Sequence, residues 1–361
     1  MDTSFFHTLA ALALQPWVLL IFAVALVFDF INGFHDAANA IATVVGTRVL
    51  RPGAAVVWAA WWNFAAAWGF GLAVANSVAK FVHAEWVTPE VIFAGLLGAI
   101  VWGLITWYFG LPTSSSHALL GGFGGAAIAY AGRWHDVVHE ETLWTTVAFI
   151  VAAPLLGFLL GLFLVVVVIR IFWRTPPGKI DRPSRIIQLA SAAAYSLGHG
   201  TNDAQKTMGI IALAIFAAQG AGTLDNLPAW AQFLHPDGGE TDIDKWIVVS
   251  CALVMAAGTA AGGWRIIKTL GHKMVKLQPI DGFAAETASA TILVTAAHFG
   301  MPVSTTHSIS TAIMGVGFAK NPKALKFSVI ERILWAWVLT IPAAGGIAYG
   351  LLRLLEAIGW A

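Results

Sequence analysis

Asn32, His35, Asp36 and Asn39 fall within about two helical turns of one another in the stretch NGFHDAANAIATVVGT, inside a long apolar run. A second stretch, GTNDAQKTMG at 200–209, carries Asn202, Asp203 and Lys206 in the same kind of setting. Two more, GLPTSSSHAL at 110–119 and GMPVSTTHSI at 300–309, supply Ser114, Ser115 and Ser116, then Ser304, Thr305 and Thr306. Carboxylates beside amide oxygens suit a cation or a proton, and ionisable groups buried in an apolar medium line ion or substrate paths by default. Hydroxyls at a helix start add side-chain donors to free backbone N–H groups and the positive dipole end, which is a setting for an oxyanion. The structural alternatives are hydroxyls bonded back to their own helices, carboxylates that cap a broken helix, and a Lys206 that snorkels to an interface.

Positioning these groups falls to a chain that is 58% hydrophobic and only 11% charged, with a mean hydropathy of +0.76. Such a composition predicts an all-α polytopic membrane protein. Apolar segments recur near 17–48, 53–80, 90–109, 113–131 and 143–171, then 186–219, 245–267, 282–299, 302–318 and 328–355. Lys and Arg gather at Arg48 and Arg51, from Arg170 to Arg185, from Arg265 to Lys276 and at Lys320 to Lys326, which predicts that these connections are cytoplasmic. The connection at 220–244 is acidic and polar and is expected outside. Both termini are then external. The opening MDTSFFHTLAALALQPW lacks a basic start and a cleavage site, so the first span is expected to be retained.

The motifs repeat in order, GFHDAANAIA with GTNDAQKTMG and GLPTSSSHAL with GMPVSTTHSI. Repetition across halves of opposite orientation predicts an inverted-topology repeat: 1–172, a basic cytoplasmic linker at 173–185, and 186–361. Gly-x-Pro before the hydroxyls predicts a broken or re-entrant helix pair in each half, with the proline in the first helical turn and the tips meeting at the middle. Ser114–Ser116 and Ser304–Thr306 are then candidate anion ligands together with Asp36, Asn202, Asp203 and Lys206. His35, Asp36, Asn39, Asp203 and Glu286 are candidates for the coupling ion, while His117, His307, Gln188 and His199 are weaker candidates.

Together these motifs resemble those of the inorganic phosphate transporter family, over essentially the whole chain. The resemblance implies secondary, cation-coupled transport of orthophosphate through inverted repeats. His35 stands where the first motif usually has Asn, and Gln205-Lys206 replace the tail of the second. That pattern is similar to the bacterial low-affinity subgroup, which implies the inner membrane, proton coupling and a neutral metal-phosphate cargo, with magnesium as the candidate metal. Lys206 aligns with Asn39, so its ammonium could stand where a coupling sodium would otherwise bind. No cofactor is expected.

Other classes fit less well. A net charge of +1 predicts no nucleic-acid partner, and the single Cys251 excludes an intrachain disulfide. Two near-equivalent Ser/His/Asp sets argue against an enzyme with one activated nucleophile. Buried carboxylates argue against a passive anion channel. No segment is long and polar enough for a nucleotide-driven motor, and GGFGG at 121–125 lacks the lysine of a phosphate loop. Sodium coupling and a homo-oligomer remain open.

Overall fold

A computed structural model describes residues 16–68, 71–220 and 243–360. The N-terminal stretch read above and most of the 220–244 connection lie outside the described residues. The described chain is helical throughout. Helix α1 spans Pro16–Gly46, α2 Pro52–Ala65, α3 Ala73–Ala79, α4 Pro89–Phe109, α5 Ser115–Ala131 and α6 Glu140–Ile171. Then follow α7 Pro177–Gly220, α8 Lys245–Ala261, α9 Trp264–Lys268, α10 Pro279–His298, α11 Thr305–Lys320 and α12 Phe327–Ala357.

Among the described residues, four helices (α1, α4, α6 and α12) are long and apolar enough by themselves to cross a membrane; the bent α8–α9 pair would make five. Large apolar side chains on α6 and α12, such as Leu155, Phe163, Trp335 and Val338, are exposed, as expected for a face turned to lipid. Among the remaining helices, α5, α10 and α11 are the most buried, so neighbours receive most of their side chains.

Two of the apolar segments expected from hydropathy are not single helices. The 53–80 segment divides into α2, a 3-10 turn at Ala66–Trp68 and the short α3. The 245–267 segment breaks at Gly262-Gly263 and continues as α9 and a π turn at Thr269–Lys273, bent by 55°. Hydropathy averages over such breaks because Gly, Ala and Trp read as apolar in any backbone conformation.

The α4–α5 and α10–α11 pairs are helical hairpins with one design. Thr88 caps α4, accepting from Val91 N at 3.3 Å with Pro89 behind it. At the start of α10 the Asp281 carboxylate accepts from Gln278 N at 2.7 Å. Each leading helix ends on a left-handed glycine, Gly110 at φ +66° and Gly300 at φ +67°, a conformation that favours a residue without Cβ. The closing bonds also match, with Leu111 N to Thr106 O at 2.9 Å and Met301 N to Ala296 O at 2.9 Å. An extended link follows, and Ser114 and Ser304 then cap the returning helices by accepting from His117 N and His307 N at 3.2 and 3.1 Å. Pro112 and Pro302 lie in the extended links before these caps rather than in the first turns of α5 and α11. There the proline stiffens the approach to the cap without occupying a helical position.

Each hairpin elbow is held by one of the broken segments. Thr269, in the π turn, donates to Gly110 O at 2.9 Å, and Ser77 of α3 donates to Gly300 O at 2.7 Å. Two apolar cores flank the hairpins, one including Phe28, Leu96, Phe123 and Met255, the other Ile41, Tyr195, Leu293 and Ile313. A polar seam runs between them.

Candidate functional site

That seam follows α1, where Asp29, Asn32, Asp36, Asn39 and Thr43, with Thr47 just past the helix end, recur at three- and four-residue intervals and are all buried. The spacing puts them on one helical face. Facing it, α7 presents Gln188, Ser191, His199, Asn202, Asp203 and Lys206, also buried. The starts of α5 and α11 close on this seam from the two hairpins.

Asp36 is the centre. Its Oδ2 accepts from Ser115 Oγ at 3.2 Å and Thr305 Oγ1 at 3.3 Å, and its Oδ1 accepts from Thr306 Oγ1 at 3.3 Å. His35 places Nδ1 at 2.9 Å from Oδ1 of the same carboxylate, with Nε2 toward Thr106 and Thr113 at 3.4 and 3.5 Å. Asp203 receives Thr305 Oγ1 at 3.0 Å as well, and that one hydroxyl proton serves a single carboxylate at a time. His199 Nε2 stands 3.2 Å from Asp203 and 3.9 Å from Asp36, while its Nδ1 lies 3.2 Å from Asn63 Oδ1 on α2. One ligand atom from each of Asp36, His199 and Asp203 lies within 4.8 Å of the others, close enough to share one small cation.

Lys206 does not snorkel. Its ammonium is buried, donates to Asp203 Oδ1 and to Ser116 Oγ, and reaches Val303 O at 3.3 Å. A buried ammonium needs such partners because stripping its water is otherwise uncompensated. Asn39 makes the corresponding contact on the other hairpin, donating through Nδ2 to Thr306 Oγ1 at 2.8 Å. The tips also bond to each other in a matched way: Thr306 Oγ1 to Thr113 O at 3.0 Å, and Ser116 Oγ to Val303 O at 3.3 Å. Of the expected set, Ser115, Ser116, Thr305, Thr306, Asp36, Asn39, Asp203 and Lys206 are therefore brought to one place, while the Ser114 and Ser304 side chains cap their own helices. Asn202 lies at its edge, with Nδ2 3.5 Å from Met301 O.

Glu286 is elsewhere. It accepts from Thr43 at 2.6 Å, Gln188 at 3.1 Å and Ser191, and Thr47 completes the group by donating to Gln188 at 2.9 Å. Thr43 lies about two turns beyond Asp36 on α1, and Gln188 and Ser191 lie on α7, so Glu286 forms a second polar centre in the same seam. His117 and His307 pack edge to face behind the tips at 4.9 Å, and His307 lies against Trp337 at 3.9 Å. Trp337 donates to Pro112 O at 2.9 Å, which ties α12 to the first tip. His199, a weaker candidate by sequence, stands beside both carboxylates, and Asn63, Trp337 and Asp29 are buried in the same region without having been singled out by sequence. Asp29 alone carried a signal of its own, as a carboxylate inside an apolar run.

An all-helical, multi-pass membrane protein whose paired hydroxyl tips close on buried carboxylates and a lysine is built as a transporter, not as an enzyme. The comparisons agree, with the phosphate transporter family pattern matching residues 32–348. The chain belongs to that family, whose transported substrate is phosphate. It is 48% identical to a protein named "Probable low-affinity inorganic phosphate transporter" from Rhizobium meliloti, over 91% of this chain and 93% of the relative. It is 40% identical to one of the same name from Bacillus subtilis, over 93% and 97%. A solved structure titled "The sodium-dependent phosphate transporter" shares the fold, with a TM-score of 0.79, 21% identity, and coverage of 95% of this chain and 100% of the other.

Proposed function

We propose that this chain imports inorganic phosphate by cation symport, with the proton as the coupling ion. The observation that carries the reading is Lys206, buried between Asp203 and the Ser116 hydroxyl at the meeting point of the two tips. A fixed ammonium supplies at the second carboxylate the positive charge that a sodium ion would bring, and it attracts an anion to the hydroxyls. Phosphate then takes the Ser115 and Thr305 hydroxyls from the carboxylates and the Ser116 and Thr306 hydroxyls from the carbonyls of the opposite tip, and Asp36 accepts the proton on hydrogen phosphate. Sulfate has no such proton to give at neutral pH, which makes Asp36 the basis of selectivity.

Matching elbows, caps and cross-tip bonds support two inverted repeats, 1–172 and 186–361, joined by the basic linker at 173–185. In this reading the linker is cytoplasmic, the termini are external and the membrane is the bacterial inner membrane. The crossings number about ten, with the interior segments spanning beside α1, α4, α6 and α12. Sodium coupling is the second reading. It is favoured by Asn39 Oδ1 and Asn202 Oδ1, buried oxygens without a hydrogen-bond partner that suit a hard cation.

The test is uptake of labelled phosphate into liposomes under an inward proton gradient, an inward sodium gradient or neither, with and without magnesium. Stimulation by protons alone is expected. Stimulation by sodium alone makes Asp36 and Asn39 a sodium site and removes the role given to Lys206. A requirement for magnesium identifies the cargo as a metal-phosphate complex.

A further inference from the structure

Asp29 has no role in the site described above, yet it is fully buried on the same face of α1 as Asp36. It lies about 10 Å before Asp36 along the helix, at 1.5 Å per residue. One of its carboxylate oxygens accepts from Thr207 Oγ1 of α7 at 2.9 Å, and the other, Oδ2, has no partner. Among the described residues no lysine, arginine or histidine pairs with it. Its flanking residues Ala25 and Phe28, and Met208 and Ile211 across the seam, belong to one apolar core.

The titratable groups facing it are Asp203 and His199 from α7 and Cys251 from α8. Helix α4, packed on α1, carries Glu90 and Tyr108 only near its two ends. Thr207 follows Lys206 directly, and Asp203 precedes it by one helical turn. Asp29 is therefore the next carboxyl along the seam from the lysine-paired centre, but without a lysine of its own.

We propose that Asp29 is a second proton-binding site of the transport cycle, a buried carboxyl that binds and releases one proton as the α1–α7 seam opens and closes. With one hydroxyl donor and no ion-pair partner in contact, the closed seam accommodates this side chain as a neutral COOH whose O–H occupies Oδ2. When the seam opens to water the O–H bond breaks, the proton leaves to solvent, and the carboxylate is hydrated until it is protonated again. A structural carboxylate in apolar surroundings would instead have its oxygens satisfied. The proposal rests on the proton-coupled reading given above, and its test separates the two.

Asp29→Asn keeps an oxygen to accept from Thr207 and removes the titration; Asp29→Glu restores it. In liposomes, the ratio of proton-gradient-driven uptake to phosphate counterflow at equal pH is expected to fall at least tenfold in Asp29→Asn. Asp29→Glu is expected to recover the ratio with a displaced pH profile. An unchanged ratio in Asp29→Asn overturns the proposal, as does equal loss of both activities, which would mark a packing residue. Infrared difference spectra on adding inorganic phosphate provide the independent readout. A protonated-carboxyl band present in the wild type and absent in Asp29→Asn supports the site even if wild-type uptake follows sodium. A band that survives the substitution overturns it.

Discussion

Lys206 and Asp203 form the pair on which the site depends most, because removing either leaves the other's buried charge without its opposite charge in direct contact at that oxygen, with only hydroxyl, carbonyl or imidazole partners remaining. Breaking a buried ion pair on one side costs about 3–5 kcal/mol, so Lys206→Met is expected to lower thermal stability as well as uptake. Uptake should fall at least tenfold in liposomes even where the folded fraction, measured by size-exclusion chromatography, matches the wild type. Asp36→Asn keeps one oxygen to accept from the hydroxyls, replaces the other by an NH2 donor and removes the charge that would draw the proton of hydrogen phosphate. Its expected signature is reduced uptake with weaker discrimination against sulfate, measured by competition; full uptake with unchanged selectivity would remove Asp36 from that role. At this scale the sequence was informative where it repeats. Asp36 with Asp203, and Ser115–Ser116 with Thr305–Thr306, stand in matched motifs and meet in the structure. Asp29 has Ser196 at its equivalent position, so a reading weighted by repetition passes over it. His199 was legible only as a lone histidine, because its partners come from α1, α2 and its own helix.

The hairpins act as elements because their elbows are over-determined. Gly300 is left-handed and also lies against α3, where a Cβ would come within 3.1 Å of Ala73 O. Gly300→Ala therefore combines backbone strain of about 1–2 kcal/mol with a steric contact, and a drop in the thermal midpoint is expected. Ser77→Ala removes the bond to Gly300 O, together with the longer local contact to Ala73 O, and should cost about 1 kcal/mol. If both variants melt like the wild type, the elbow is not held as described. The hairpins themselves were readable from Gly-x-Pro followed by hydroxyls, but the breaks in the second apolar segment of each half were not. Those breaks let α3 and the π turn reach the opposite hairpin, a long-range purpose that no local pattern announces.

For the whole molecule, the arrangement of charge predicts which face each loop occupies. Trp134 and Arg174 lie on exposed connections that flank α6, a helix long enough to cross the bilayer. In a Cys251→Ala background, Trp134→Cys and Arg174→Cys are expected to react with an impermeant thiol reagent from opposite sides, with Arg174→Cys protected in intact cells. Reaction of both from outside would reject the orientation given to the linker.

The bonds between the tips bear on how firmly cargo can be held. Thr306 and Ser116 already spend their protons on carbonyls of the opposite hairpin, and Ser115 and Thr305 spend theirs on carboxylates. In the proposed transport reading, an arriving anion is taken in exchange for these bonds, and each contact yields only the difference between two similar hydrogen bonds. A grip formed by substitution is shallow in both directions: the load is acquired at little gain and released at little cost. Such a carrier is suited to throughput when its solute is plentiful and is a poor scavenger when it is scarce.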